Sequence, residues 1–171
     1  SPAVSIKRQA LLAMLKSAAY GLPLRTDKTF VRMEENSHGQ GITAFFSDGT
    51  MARADILLGC DGFNSAVRQE LFGPIERNYC GYTCYRGISV VPADLVPSGA
   101  VWHTTGLGIQ FGLLDVSGNK SSRAQAGSRE LAWYATANEP PAVMEDAVAR
   151  KTRLLERYGS LSPLIARAIE A

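Results

Sequence analysis

The stretch Asp55 to Gly73, DILLGCDGFNSAVRQELFG, gathers the residues of this chain best suited to chemistry. A continuous apolar run, Ile56 to Cys60, is bounded by Asp55 and Asp61, the pattern of a strand buried on both faces as parallel strands are. Asn64 or Ser65 can then cap a short helix that closes at Gly73-Pro74. In open parallel sheets, ligands bind at the carboxyl ends of strands, where the chain turns into a helix. Gly59 and Gly62 let backbone approach a bulky ligand. The first turn of the helix offers N–H groups and a positive dipole end to phosphate. Asp61 supplies a carboxylate that accepts from hydroxyls or orients a cation, and Arg68, further along the helix, can pair with it or with phosphate. The junction as a whole suits a dinucleotide. Asp61-Gly62 alone is an ordinary turn signal, and a plain strand-to-helix loop accounts for that pair by itself.

Other constellations are missing. Cys60, Cys80 and Cys84 are an odd number, and neither they nor His38 and His103 show metal-ligand spacing. No metal site is expected, and the thiols read as reduced and mostly buried in a cytoplasmic protein. No Ser-His-Asp arrangement is evident; the two histidines stand among polar or turn residues and read as surface or loop residues. No side-chain catalyst is therefore expected.

The elements that must position Asp61 and Arg68 follow from pattern. Ser5 is a candidate cap for a helix over Lys7 to Tyr20, with Leu11, Leu12, Leu15, Ala18 and Ala19 as its apolar face. Phe30 to Met33, Ile42 to Phe46 and Thr50 to Ala54 read as an antiparallel set, the last two joined by the tight turn Asp48-Gly49. HGQGITA, His38 to Ala44, fits Gly-x-Gly-x-x-Ala but follows a polar run and leads into a strand, so it is not a dinucleotide turn. From Tyr79 the texture changes. Tyr82 to Val91, Ala100 to Thr104, Ile109 to Leu114 and Glu130 to Ala137 are strand-like, Ser117 to Ser128 is a polar loop, and Ala142 to Tyr158 and the segment after Ser162-Pro163 are helical. Val143, Ala147, Leu154 and Leu155 lie on or near one face of the longer helix.

The expected fold is α+β or α/β: part of a doubly wound domain over residues 1–73, then a mostly antiparallel sheet with C-terminal helices over 74–171. The 171 residues carry 18 Lys and Arg against 16 Asp and Glu, a formal charge of +2, with 46% hydrophobic and 20% charged residues. That balance implies neither nucleic acid nor a membrane surface as partner, and no apolar run reaches the length of a membrane span. Ser1 is not Met and IARAIEA reads as helix to its end, so both ends are expected to be cuts.

The string Gly59, Asp61, Gly62, Ser65, Arg68 resembles the second motif of the FAD-dependent aromatic hydroxylases, the p-hydroxybenzoate and salicylate hydroxylase type. SIKRQALLAML resembles that family's entry helix, where an Arg followed three residues later by Leu lies beside FAD; here these are Arg8 and Leu11. A cation at a helix start opposes the dipole, which favours a ligand-related reason for Arg8. GYTCYRGI and WYATANEP resemble strands of the family's substrate sheet. The resemblance implies FAD near Arg8, Asp61, Gly62 and Arg68, NADH or NADPH as reductant, and a small aromatic substrate near Arg86 and Gln110. Tyr82, Tyr85, Trp102 and Phe111 are candidates for either an aromatic pocket or the core. The family's glycine-rich FAD turn and its later Gly-Asp motif are not in the sequence, so the chain is expected to be an internal piece that lacks its flanking segments. Two other readings stay open: a non-catalytic binding module on the same fold, and a related halogenase- or reductase-type flavoprotein. The halogenases' Trp-x-Trp-x-Ile-Pro signature is absent; Trp102 and Trp133 stand alone.

Overall fold

The computed structural model describes residues 4–118, 124–141 and 145–171, the side chain of His38 excepted. The expected helix start at Ala142, its Val143, and part of the polar loop fall outside these residues. The chain forms two compact units, Gly21–Asn78 and Ser1–Tyr20 with Tyr79–Ala171. The first twenty residues thus group with the later sheet, whereas the sequence placed them with the motif segment. Lys7 carries this grouping: its Nζ lies 2.9 Å from Glu130 Oε2 with both side chains buried. Removing either partner of such a pair strands a buried charge.

In the smaller unit, β1 (Phe30–Glu35), β2 (Ile42–Phe46) and β3 (Met51–Ala54) form an antiparallel sheet in that order. Gly49, at φ +79°, makes the β2–β3 turn as Asp48-Gly49 predicted. The helix α2 (Ala66–Phe72) follows, with Ser65 as its cap and Gly73 at its end. The stretch between β3 and α2 departs from expectation. Residues 55–60 pair with no strand among the described residues, and Ile56 and Leu58 are 72% and 78% exposed. A parallel strand exists only beside a neighbour that supplies its ladder bonds, and β1–β3 pair antiparallel among themselves without taking this stretch as a partner.

The larger unit contains α1 (Arg8–Ala18), then β4 (Tyr82–Pro92), β5 (Val101–Gly106), β6 (Ile109–Asp115) and β7 (Ser128–Asn138), and last α3 (Ala147–Tyr158) and α4 (Pro163–Glu170). Lys7, not Ser5, precedes α1 as its cap, and no residue of α1 is buried: Leu11, Leu12 and Leu15 of its apolar face stay exposed. The four strands form one antiparallel sheet in the order β4-β7-β6-β5. One face is covered: Val91, Phe111, Leu113, Leu131 and Ala135 pack with Leu154 and Tyr158 of α3 and Ile165, Ala168 and Ile169 of α4. The helices are also tied down by polar bonds, Tyr158 Oη to the Thr136 carbonyl at 2.7 Å and Ser89 Oγ to the Ala168 carbonyl. Among the described residues, no helix is long and apolar enough to cross a membrane.

A carboxylate at the end of β7 links α3 to the sheet. Glu139 accepts from Tyr85 Oη at 2.6 Å and pairs with Arg153 and Arg157. Burial alone would raise its pKa, but the Tyr85 hydroxyl and the Arg157 guanidinium outweigh it and hold the carboxyl below its usual 4.5. A lowered folded pKa gives stability that is complete above the unfolded value and lost as pH falls through the folded one. Stability should therefore drop below about pH 4.5, and Glu139→Gln should flatten that acid limb. Melting temperatures of both proteins from roughly pH 3 to 6 check this; parallel curves would contradict it.

Candidate functional site

The motif loop places Asp61 against its own helix. Its Oδ1 accepts from Ser65 Oγ at 2.5 Å, and its Oδ2 from the N–H groups of Ala66 at 2.7 Å and Val67 at 3.2 Å. Ser65 Oγ in turn accepts from Arg68 N at 2.9 Å. The Ser65 hydroxyl and then these amides hold the Asp61 carboxyl below the usual carboxylate range. The first-turn N–H groups that the sequence offered to phosphate are thus taken by Asp61 and Ser65. The spacing Asp61 to Ser65 is the signal that could have shown it: a carboxylate ahead of a cap competes for the same donors.

What remains free lies beside this cap. A Cβ at Gly59 would stand 2.8 Å from Val67 Cβ, so only glycine lets α2 pack on the loop. Gly62, at φ +81°, has open space where a side chain would be. A cavity of about 530 Å³ is lined by Gly59, Cys60, Gly62, Ser65, Arg68 and Phe72, among others. Asp61 does not line it. Arg68 reaches back to the Phe63 carbonyl at 2.6 Å, yet its Nε is buried with no acceptor. An orphaned guanidinium donor at a glycine-edged cavity fits an oxygen-rich ligand, and Asp61 Oδ1 retains a lone pair for one hydroxyl. Arg8 lies in the other unit, exposed at the start of α1.

The larger unit offers the second surface, the face of its sheet opposite α3 and α4. Register assigns its members, because paired residues share a face and alternate along each strand. Arg86, Tyr134, Gly112 and His103 form one rung across β4, β7, β6 and β5. Cys84, Thr136, Gln110 and Thr105 form the next, and Ile88, Ala132, Leu114 and Val101 the one on the other side. From the Cys84 rung to the Ile88 rung the face thus passes from polar to apolar, with Arg86 at the divide; the next pair is Val90 and Glu130, where Glu130 is buried against Lys7. Both predicted residues lie on it. Arg86 and Gln110 are exposed, and neither makes a side-chain hydrogen bond or ion pair within the described residues. They sit two strands and one rung apart, a Cα separation of about 12 Å from ordinary sheet spacings. A cavity of about 490 Å³ opens at the polar end, lined by Tyr82, Thr105, Leu107, Gln110, Thr136 and Asn138 among others. That volume suits a small organic molecule.

Several expectations need correcting here. Of the four aromatic candidates, Tyr82 alone lines the open-face cavity; Phe111 is core, Tyr85 faces α3, and Trp102 is an exposed edge residue. His103 is a surface residue, as one of the two expectations had it, and lies on strand β5 with its ring 5.8 Å from that of Tyr134. Tyr134 and Thr136 were missed, although the alternation in WYATAN puts them opposite the core residues Ala135 and Ala137. The three thiols, expected mostly buried, are all exposed: Cys60 sits in the unpaired loop, Cys80 precedes β4, and Cys84 is on the open face. No cluster of metal-ligating residues occurs among the described residues.

No family model matches the chain. Its curated relatives include zeaxanthin epoxidase of Nicotiana plumbaginifolia, 35% identical over 156 residues, which cover 90% of this chain and 21% of the relative. That of Capsicum annuum is 41% identical over 108 residues, 61% of this chain and 14% of the relative. Among solved structures, Klebsiella pneumoniae HpxO complexed with FAD and uric acid superposes with a TM-score of 0.67 at 26% identity, over 84% of this chain and 34% of that one. A salicylate hydroxylase substrate complex gives 0.68 at 16% identity, over 94% and 43%, a likeness of fold. The chain spans about a fifth of the length of the first curated relatives it matches. In sequence and in its α+β architecture, the chain corresponds to a segment of FAD-dependent monooxygenases.

Proposed function

We propose that the complete protein is an FAD-dependent, NADH- or NADPH-using monooxygenase that hydroxylates a small aromatic or similar organic substrate, and that this chain supplies the substrate platform. The observation that carries the reading is the open sheet face, where Gln110 lines a cavity of ligand size and Arg86 stands one rung away, both without internal partners among the described residues. Unpaired polar groups on a rigid sheet are cheap to engage, since no internal bond is broken and little backbone is reordered.

When bound, FAD supplies the oxygen-transfer chemistry, drawing its electrons from the reduced nicotinamide. This chain's residues bind and orient. Arg68 Nε and the open backbone at Gly62 hold the cofactor; Asp61 fixes the loop that presents them and accepts one further hydroxyl. Arg8 adds a cation at the head of α1. Arg86 neutralises an acidic or phenolic group, and Gln110 hydrogen-bonds a second polar edge. A cytoplasmic location belongs to the same reading.

A second reading rests on the apolar end of the open face, where Ile88, Val90 and Val101 are exposed. It suits an extended apolar substrate of the kind the curated relatives' names carry. The purified complete protein should contain bound flavin, and aromatic acids such as salicylate or urate should accelerate its NAD(P)H oxidation more than zeaxanthin does. Flavin-free protein, or NAD(P)H oxidation indifferent to every aromatic acid, would overturn the first reading; acceleration by zeaxanthin alone would establish the second.

A further inference from the structure

Two glycine–aromatic pairs sit next to each other on β7 and face opposite ways. Trp133 lies over Gly87 on the covered face, where its ring stacks on Phe111 at 5.7 Å and its Nε1 donates to Ser89 Oγ at 3.0 Å. That arrangement is core packing. Tyr134 lies over Gly112 on the open face. A Cβ at Gly112 would overlap the Tyr134 ring at Cε1 and Cζ and stand 2.7 Å from its hydroxyl, so the ring occupies the space that any other residue at 112 would claim. Gly112 is buried beneath it, while Tyr134 itself stays half-buried. No side-chain hydrogen bond is made by the Tyr134 hydroxyl within the described residues. His103 stands beyond it with its ring inclined by 42°.

Tyr134 thus lies on the rung of Arg86 and next to the rung of Gln110, with Thr136 as its neighbour on the same strand. We propose that Tyr134 is a specificity-determining residue: its ring, laid down over Gly112, is the floor on which a flat conjugated ligand rests, and His103 is the side wall. The proposal rests on the reading of the open face as the substrate site and adds the shape that site selects. An aromatic ring favours offset stacked or edge-on partners and gives an aliphatic ring only its contact area. The ligand class is therefore a planar aromatic or heteroaromatic acid, held by charge at Arg86 and by ring contact at Tyr134. A merely structural Tyr134 would fill the gap above a strand glycine and act on stability alone.

The test compares binding of salicylate with that of cyclohexanecarboxylate, its non-planar counterpart in ring size, by calorimetry on the complete protein, with melting curves alongside. The wild type should favour salicylate by about tenfold. Tyr134→Ala should abolish that preference, Tyr134→Phe should keep most of it, and Gly112→Ala, which displaces the ring, should behave like Tyr134→Ala. A preference that survives in Tyr134→Ala, whatever its melting temperature, overturns the proposal. A wild type that shows no preference, yet loses binding of both acids on Arg86→Ala, overturns it too and leaves the open-face reading standing. Absence of any binding that depends on Arg86 removes the open-face reading itself, and this proposal with it.

Discussion

Replacing Arg86 by alanine in the complete protein is expected to raise the Michaelis constant for an aromatic acid by about ten- to hundredfold, the loss of one charged hydrogen bond worth about 1.5–3 kcal/mol. The maximal rate and the flavin content should stay nearly unchanged, because Arg86 is on β4 of the larger unit, whereas Arg68 and Gly62, the residues proposed to hold the cofactor, belong to the other. The structure removes the simplest competing account. Arg86 makes no ion pair within the described residues, so its mutation breaks no salt bridge and should shift the melting temperature little. It stands on the open face, paired in register with Tyr134 and one rung from Gln110 and Thr136. Steady-state kinetics with matched melting curves decide the matter. A Michaelis constant within about twofold of wild type would remove Arg86 from the site.

Phe111→Ala should be the most damaging single change to the fold. Phe111 is 1% exposed, stacks on Trp133 at an interplanar angle of 17°, and meets Tyr158 of α3 with ring centroids 5.7 Å apart. It is therefore the ring through which β6, β7 and α3 share one core. Truncation removes its transfer free energy and leaves a cavity between a sheet and a helix, neither of which can collapse freely; the cost is about 3–5 kcal/mol. Denaturant unfolding should show a lower midpoint at an unchanged slope. Its neighbour Gln110, on the opposite face of the same strand, offers the control: Gln110→Ala should change stability by under about 0.5 kcal/mol. Equal effects at 110 and 111 would mean that the face assignment is wrong.

The parts of this molecule that were legible in the sequence are those set by local chemistry. Asp48-Gly49 dictated a hairpin, Ser162-Pro163 opened a helix, and the alternation from Tyr82 onward marked four strands whose two faces then followed from register. The illegible parts depend on what lies beside them. Ile56 to Cys60 has the composition of a buried strand, but composition does not supply the neighbours that a parallel ladder requires. The leucine face of α1 likewise reads as core and stays exposed. Lys7 draws the first residues to the sheet through Glu130, 123 positions away, a contact no local pattern encodes. At the candidate site, resemblance of their segments to a substrate sheet pointed to Arg86 and Gln110, and register puts both on one face, while Tyr134 became visible only through the missing side chain at Gly112. Asp61 shows how one residue type can be read two ways: a carboxylate read as a cofactor ligand first of all accepts from the Ser65 cap and the first-turn amides of the helix that follows it.

We propose this chain as the substrate platform of an oxygen-inserting flavoenzyme. The most direct measurement is the mass of the product formed by the FAD-loaded complete protein from NAD(P)H and an aromatic acid under ¹⁸O₂. The account predicts a hydroxylated acid that carries one heavy oxygen atom, formed more slowly at low substrate concentration by Arg86→Ala. Consumption of NAD(P)H with all oxygen recovered as hydrogen peroxide or water, and no labelled organic product, would contradict it.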